Sequence, residues 1–134
     1  MPDPTLERSL AKLTRAVDRL AEALEEPESS RLAIDGTIQR FEFVFELFWK
    51  TFRRVLLAEG LDPATPREAI RSASAAGIIE DETVWLALLQ ARNETPHTYD
   101  EEKARAVYSI IRERFPDLQV TLAHVQARVR RADA

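Results

Sequence analysis

Residues 41–52 read Phe41-Glu42-Phe43-Val44-Phe45-Glu46-Leu47-Phe48-Trp49-Lys50-Thr51-Phe52. Wound into a helix at about 100° per residue, this stretch carries apolar side chains on more than one face. Helices of that kind lie at the centre of a bundle or at a subunit interface. We therefore expect a helix from about Leu32 to Glu59, capped by Gly60 and buried on two sides.

The remainder of the chain also predicts helices. Its 134 residues include only three glycines, and apolar residues recur every three or four positions instead of alternating as in a strand. Asp3-Pro4 begins the first helix, and the capping box Thr65-Pro66-Arg67-Glu68 begins a short helix that Gly77 ends. Asp81 begins the next helix, which Pro96 should end near Glu94 or Thr95. Asp100 begins a fifth helix, and Pro116 separates it from a last one. The predicted fold class is all-α, an antiparallel up-and-down helical bundle of four to five main helices plus one short helix, in one domain over residues 1–134.

The composition excludes several classes of function. Lysine and arginine number 19 against 23 aspartates and glutamates, so no global basic field is present and any contact with nucleic acid must be local. The absence of cysteine removes disulfides, thiolate metal sites and thiol nucleophiles. No signal-peptide pattern opens the sequence, and no apolar run approaches the roughly 20 residues that span a bilayer. We expect a soluble, cytoplasmic protein with no membrane partner.

Histidine chemistry is confined to two positions. His124 lies beside a core position of the last helix and is interpreted as a bystander. His97 lies in the segment Arg92-Asn93-Glu94-Thr95-Pro96-His97-Thr98-Tyr99-Asp100. On an unbroken helix Arg92 and His97 would point about 140° apart, so they converge only if the helix breaks between them or two subunits share the site.

Two interpretations of this segment remain open. An arginine beside a histidine suits phosphodiester chemistry, because the guanidinium stabilises an anionic pentavalent phosphorus while the imidazole moves protons. Alternatively, the polar side chains only satisfy the free backbone groups of a helix end. The Glu-x-x-His pattern of Glu94 and His97 also resembles that of di-iron bundles, but such a site needs a continuous helix and two copies of the motif. We expect neither a metal site nor a cofactor.

Polar residues within the aromatic helix are expected to find partners. Glu46 and Lys50 have the spacing of an i, i+4 ion pair, and Arg53 or Arg92 is a candidate partner for Glu42. Trp49 can stack on a base, although core packing is the more common role of an aromatic residue at helical spacing. The candidate residues for lining a cleft are Glu42, Glu46, Trp49 and Lys50. The basic tail 128–131 is interpreted as a helix end that complements the helix dipole.

Three stretches together resemble the HEPN superfamily, in particular its branch of nucleotidyltransferase substrate-binding proteins close to HepT-type toxins. They are residues 41–50, residues 66–71 with 77–81, and the run from Trp85 through Arg92-Asn93 to His97-Thr98-Tyr99-Asp100-Glu101. The resemblance covers roughly residues 35 to 115.

The third stretch contains the motif that implies function: arginine, four residues, histidine, any residue, tyrosine. In catalytic HEPN proteins the arginine and histidine form a metal-independent RNase centre at a dimer interface, often with a polar residue after the arginine. The resemblance therefore implies a homodimer that cleaves RNA, with Arg92, Asn93 and His97 catalytic. In the paired systems a minimal nucleotidyltransferase adenylylates the tyrosine and silences the toxin, which implies Tyr99 as the modification site. Pro96, directly before the histidine, departs from the expected pattern.

The same resemblance leaves a second function open. The chain would then be a non-catalytic subunit that presents a nucleotide or another substrate to a nucleotidyltransferase, with Arg92 and His97 lining the cleft.

Overall fold

The computed structural model describes residues 4–133, and the side chains of residues 4–131. Its elements are α1 (Pro4–Leu24), α2 (Arg31–Ala58), α3 (Pro66–Ala75), α4 (Glu82–Glu94), a 3₁₀ turn (Thr95–His97) and α5 (Glu101–Asp133). The described part of the chain contains no strand, and the predicted all-α helical bundle is confirmed. None of the helices in residues 4–133 is both long and apolar enough to cross a membrane.

Helix α1 is amphipathic and packs along α2. Leu6, Leu13, Val17 and Leu20 are buried, and with the partly buried Leu10 and Leu24 they follow the predicted spacing of three and four. The helix begins at Pro4, whose fixed φ suits a first helical position. Asp3, the other member of the predicted starting pair, lies outside the described residues.

Helix α2 occupies the centre of the bundle, because it contacts all four other α-helices. The Ser30 hydroxyl caps it by accepting a hydrogen bond from the Ala33 amide, and Gly60, with a φ of 89°, ends it. The buried apolar residues form one broad arc: Ile34, Ile38, Phe41, Val44, Phe45, Phe48, Phe52, Val55 and Leu56. The opposite side of the helix is exposed, so the burial expected on two sides is observed on one.

The exposed side of α2 carries three large apolar residues. Leu32, Phe43 and Leu57 are 83%, 58% and 44% exposed. At about 100° per residue they fall within about 40° of one another around the helix axis. We call these three residues the apolar stripe.

The predicted caps of α3 and α4 are confirmed. The Thr65 hydroxyl accepts a hydrogen bond from the Glu68 amide at 3.2 Å, and Gly77 follows α3 with a φ of 81°. The Asp81 carboxylate accepts from the amides of Thr83 and Val84 at 3.0 and 3.3 Å. These bonds satisfy amide groups that the first turn of a helix leaves without partners.

Trp85 fixes α4 to the rest of the bundle. Its indole ring, 1% exposed, lies edge-on to Phe48 and Phe52 at centroid distances of 4.9 and 5.1 Å. The indole N–H donates to the Thr121 hydroxyl of α5 at 3.0 Å. One side chain thus joins α4 to both α2 and α5.

The predicted break at Pro116 is wrong, because α5 runs without interruption from Glu101 to Asp133 with this proline inside it. A proline lacks the amide that would bond the carbonyl four residues earlier, here that of Arg112. Pro116 is exposed, so water can satisfy this carbonyl. Ile111 and Leu118, on either side, are both buried in the same core and hold the two halves of the helix in line. The predicted cap of α5 is confirmed, since the Asp100 carboxylate accepts from the Glu102 amide at 2.9 Å.

The C-terminal part of α5 is joined to the ends of α2 and α3 by one arginine. Arg128 donates to both carboxylate oxygens of Glu59, at 2.7 and 3.0 Å, and to the Ala76 carbonyl at 2.8 Å. The hydrogen bond with Glu59 raises the pKa of Arg128, against the opposing effect of its partial burial. Arg128 in the basic tail therefore joins three helices.

Candidate functional site

The segment that carries the arginine and histidine motif begins at the C-terminus of α4. As predicted for Pro96, α4 ends at Glu94 and a single 3₁₀ turn follows. Hydroxyl groups satisfy the carbonyls freed there: Thr95 donates to the Arg92 carbonyl and Thr98 to the Thr95 carbonyl, each at 2.8 Å. The helix therefore breaks between Arg92 and His97, which is one of the two conditions under which the sequence analysis expects these side chains to converge.

Arg92 is held from one side by α2. Its Nη2 donates to the Glu46 Oε1 at 2.5 Å, and its guanidinium carbon lies 5.7 Å from the centroid of the Phe45 ring. The side chain is 32% exposed, so part of the guanidinium still faces solvent. A weaker contact of 3.4 Å joins its Nη1 to the Asn93 Oδ1. Arg92 is thus oriented by a carboxylate on one edge and an aromatic ring.

Glu46 connects several of the predicted residues. Besides Arg92, it accepts a hydrogen bond from the Trp49 indole N–H at 3.1 Å and lies 3.8 Å from the Lys50 ammonium. The predicted i, i+4 pair of Glu46 and Lys50 is confirmed. Trp49 is half-buried against the core. The structure therefore brings Glu46, Trp49, Lys50 and Arg92 together.

The predicted partners of Glu42 are wrong. Arg92 pairs with Glu46, one helical turn further along α2, because the end of α4 lies level with that turn. Arg53 pairs with Asp62 at 3.0 Å, in the connection that follows α2. Among the described residues, no ion pair involves Glu42.

Glu42 instead lines a shallow cleft of about 280 Å³ between α2 and the segment after the 3₁₀ turn. The residues around this cleft are Arg31, Asp35, Ile38, Gln39, Glu42, Thr98 and Tyr99. Arg31 bridges it, donating from Nη2 to the Thr98 carbonyl at 2.8 Å and from Nε to the Asp35 carboxylate at 2.9 Å. Sequence reasoning missed Arg31 and Asp35, and only their i, i+4 spacing on α2 was available as a signal.

The other predicted site residues lie at the surface. His97 and Asn93 are exposed, and Tyr99 is 83% exposed. Within the described residues, no hydrogen bond or ion pair occupies the imidazole of His97 or joins it to Arg92. The two residues of the motif therefore share one helix terminus, and both retain faces that a ligand can reach.

The remaining histidine occupies a different region. His124 Nε2 lies 3.8 Å from the Glu80 carboxylate, while its Nδ1 is buried without a hydrogen-bond partner. Among residues 4–131, no cluster of three or more histidine, aspartate or glutamate side chains has the arrangement of a metal site. The motif residues at the end of α4 supply a guanidinium, an imidazole and an amide.

The sequence profile of the family described as "nucleotidyltransferase substrate binding protein like" matches residues 6–127. The chain belongs to this family. A Haemophilus influenzae protein named probable ribonuclease HepT is 41% identical over 83 residues, which are 58% of this chain and 57% of that relative. The match thus spans little more than half the length of that protein.

Two solved structures have the same family fold over nearly their whole length. A Thermus thermophilus protein is 36% identical, with a TM-score of 0.68 over 93% of this chain and 98% of its own. A Haemophilus influenzae protein, described as having the fold of a substrate binding domain of a nucleotidyltransferase, is 30% identical, with a TM-score of 0.64 over 91% and 97% of the two chains. The family and this neighbour associate the fold with a nucleotidyltransferase.

Proposed function

We propose that this chain is a HEPN-type, metal-independent RNase toxin, neutralised by a minimal nucleotidyltransferase that adenylylates Tyr99. The observation that carries the proposal is the end of α4, where a partly exposed arginine and an exposed histidine lie on either side of a helix break. The relative named probable ribonuclease HepT supports the same activity.

In the proposed reaction the 2′-hydroxyl of a ribose attacks the adjacent phosphorus. A bond forms between the 2′ oxygen and phosphorus, and the bond from phosphorus to the 5′ oxygen breaks, which leaves a 2′,3′-cyclic phosphate and a 5′-hydroxyl. His97 takes part in moving the proton from the 2′-hydroxyl to the 5′ oxygen. Arg92 stabilises the charge on the phosphoryl oxygens with the donors that Glu46 does not use, and Asn93 supplies an amide beside it.

The test is cleavage of RNA by the purified chain without its partner, in buffer containing EDTA. We expect products that end in a 2′,3′-cyclic phosphate and growth arrest when the chain is expressed alone. Growth arrest should disappear when a nucleotidyltransferase encoded beside it is expressed too. A chain that neither cuts RNA nor arrests growth would be the second candidate, a non-catalytic substrate-binding subunit, which the family description favours.

We also propose that the active form is a homodimer assembled on α2. The apolar stripe leaves Leu32, Phe43 and Leu57 exposed on one line of this helix. Packing these aligned side chains against α2 of a second copy would remove their apolar surface from water. Glu46 lies about 60° from Phe43 around the helix, so a partner seated on the stripe would lie beside the Arg92 contact.

Replacing Phe43 by glutamate is expected to convert the dimer into a monomer, because two carboxylates would enter an apolar two-fold contact. Sedimentation at micromolar protein measures the change. Val120 of α5, 45% exposed, provides the matched control, since V120E adds the same charge away from the stripe. A parent that is already monomeric, or dissociation by V120E alone, would contradict this interface.

Tyr99 is the proposed acceptor of AMP. Its hydroxyl would attack the α-phosphorus of ATP held by the partner, forming the bond between Tyr99 oxygen and phosphorus while pyrophosphate leaves. The chain contains a second tyrosine, Tyr108, which is only 4% exposed and whose hydroxyl accepts from Arg112 at 2.9 Å. Tyr108 therefore serves as an internal comparison for accessibility.

After incubation with partner, ATP and magnesium, intact-mass spectrometry is expected to record one or more added AMP units. The addition should vanish in Y99F and persist in Y108F. An addition that survives in Y99F would show that another residue accepts AMP. Neutralisation by the partner without ATP would show that binding, rather than modification, blocks the activity.

A further inference from the structure

We propose that Arg31 is a positioning residue, which fixes the peptide between Thr98 and Tyr99 and so sets how His97 and Tyr99 are presented. The proposal rests on the proposed function for its consequences, but the fixing itself can be tested without any activity. Its basis is the hydrogen bond of 2.8 Å from Arg31 Nη2 to the Thr98 carbonyl.

This bond is the long-range attachment of an otherwise locally bonded segment. Within residues 95–100 the hydrogen bonds reach only three or four residues along the chain, as from the Thr98 amide to the Thr95 carbonyl and from the Asp100 amide to the His97 carbonyl, each at 3.3 Å. The segment's bonds to α4 and α5 are those of helix ends directly adjacent in the chain. Among the described residues, only Arg31, 67 positions away in sequence, joins this segment by a hydrogen bond to a helix that is not its neighbour in the chain. Local bonds define the turn, whereas the bond from Arg31 fixes it relative to α2.

Arg31 can fix both the position and the orientation of the Thr98 carbonyl. Its Nε donates to the Asp35 carboxylate at 2.9 Å while Nη2 donates to Thr98, so two edges of a planar guanidinium are engaged at once. The residue stands at the first position of α2, directly after Ser30, whose hydroxyl caps the helix by accepting from the Ala33 amide. The Thr98 carbonyl, held in this way, orients the peptide between Thr98 and Tyr99. His97 directly precedes Thr98, so its position depends on the same bond.

The same contacts contribute little to the stability of the fold. The Arg31 and Asp35 side chains are 38% and 50% exposed, and exposed i, i+4 ion pairs stabilise a helix only slightly. Variants at position 31 should therefore fold. The matched control is Arg105, which forms an exposed i, i+4 pair with Glu101 at 3.2 Å and, among the described residues, has no hydrogen bond to another helix.

The direct test is nitrogen-15 relaxation of the backbone amides in the full chain. In R31A the order parameters of Thr98, Tyr99 and Asp100 are expected to fall, while those of α2 and α5 stay as in the parent and R105A changes neither. Unchanged order parameters at these three residues in R31A would overturn the proposal.

The kinetic test measures AMP transfer to Tyr99 and cleavage of RNA. We expect R31A to lower kcat by about 10- to 100-fold with little change in KM, because misplaced groups lose rate more than affinity. Methylguanidinium added to R31A should restore part of the rate. R31K should fall between R31A and the parent, because its ammonium keeps a positive charge and can donate to one acceptor but lacks the planar group that engages Thr98 and Asp35 with two edges. An R31A chain as fast as an active parent overturns the proposal. If the amides of residues 98–100 loosen in R31A but the parent itself neither cuts RNA nor accepts AMP, the proposal for Arg31 stands and the proposed function is rejected.

Discussion

Replacement of Trp85 by alanine is expected to lower the free energy of unfolding by about 3–5 kcal/mol. The indole is 1% exposed and packs against Phe45, Phe48 and Phe52, so its removal leaves a large cavity between α2 and α4. Domains of this size are typically stable by only about 5–15 kcal/mol, so the variant should lie near the limit of folding. Urea unfolding followed by circular dichroism measures the loss.

A second variant combines a smaller loss of packing with loss of the hydrogen bond. W85F keeps an aromatic ring but removes the N–H that donates to Thr121, whose side chain is itself buried. An unsatisfied buried hydroxyl costs about 1–3 kcal/mol, so W85F should lie between the parent and W85A.

The chain contains one other tryptophan as a control. Trp49 is half-buried and its indole N–H bonds Glu46 near the surface, so W49A should cost clearly less than W85A. Equal losses in the two alanine variants would contradict the role of Trp85 in joining α4 to α2 and α5.

The parts of the fold that could be predicted depend on neighbours within a few residues. The caps at Thr65, Asp81 and Asp100 and the glycine ends at Gly60 and Gly77 were predicted because each is decided by local backbone hydrogen bonds or by local φ. The continuity of α5 through Pro116 could not be predicted in this way. The local cost of a proline inside a helix is outweighed there by burial of apolar residues along the whole helix.

The candidate site divides in the same way. Sequence reasoning found Arg92 and His97 and the helix end at Pro96, because all three lie within six consecutive positions. The bonds of Arg92 to Glu46 and of Arg31 to Thr98 join residues 46 and 67 positions apart. They depend on how far one helix is displaced along another, and hydrophobic periodicity does not specify that displacement to within one turn.

The largest effect on activity is expected from the two motif residues themselves. R92A and H97A should each lower kcat/KM for RNA cleavage by about 10²- to 10⁴-fold, because one loses the charge that stabilises the phosphoryl oxygens and the other loses proton transfer. If both act on one transition state, the double variant should be much less impaired than the product of the two single losses. The H124A control should cleave RNA at the parental rate, since His124 lies near Glu80 rather than at the end of α4.

Two further variants test how Arg92 acts. R92K keeps a positive charge but cannot hold Glu46 with one edge of a planar group and a phosphate with another, so it should recover only part of the rate lost in R92A. E46Q keeps the shape of the acceptor but weakens the hydrogen bond to Nη2, and we expect a loss of about 10-fold in kcat because the guanidinium is then less firmly oriented. A gain of activity in E46Q would instead identify Glu46 as a competitor that RNA must displace. Retention of the parental rate in both R92A and H97A, with fold intact, would exclude the end of α4 as the catalytic centre.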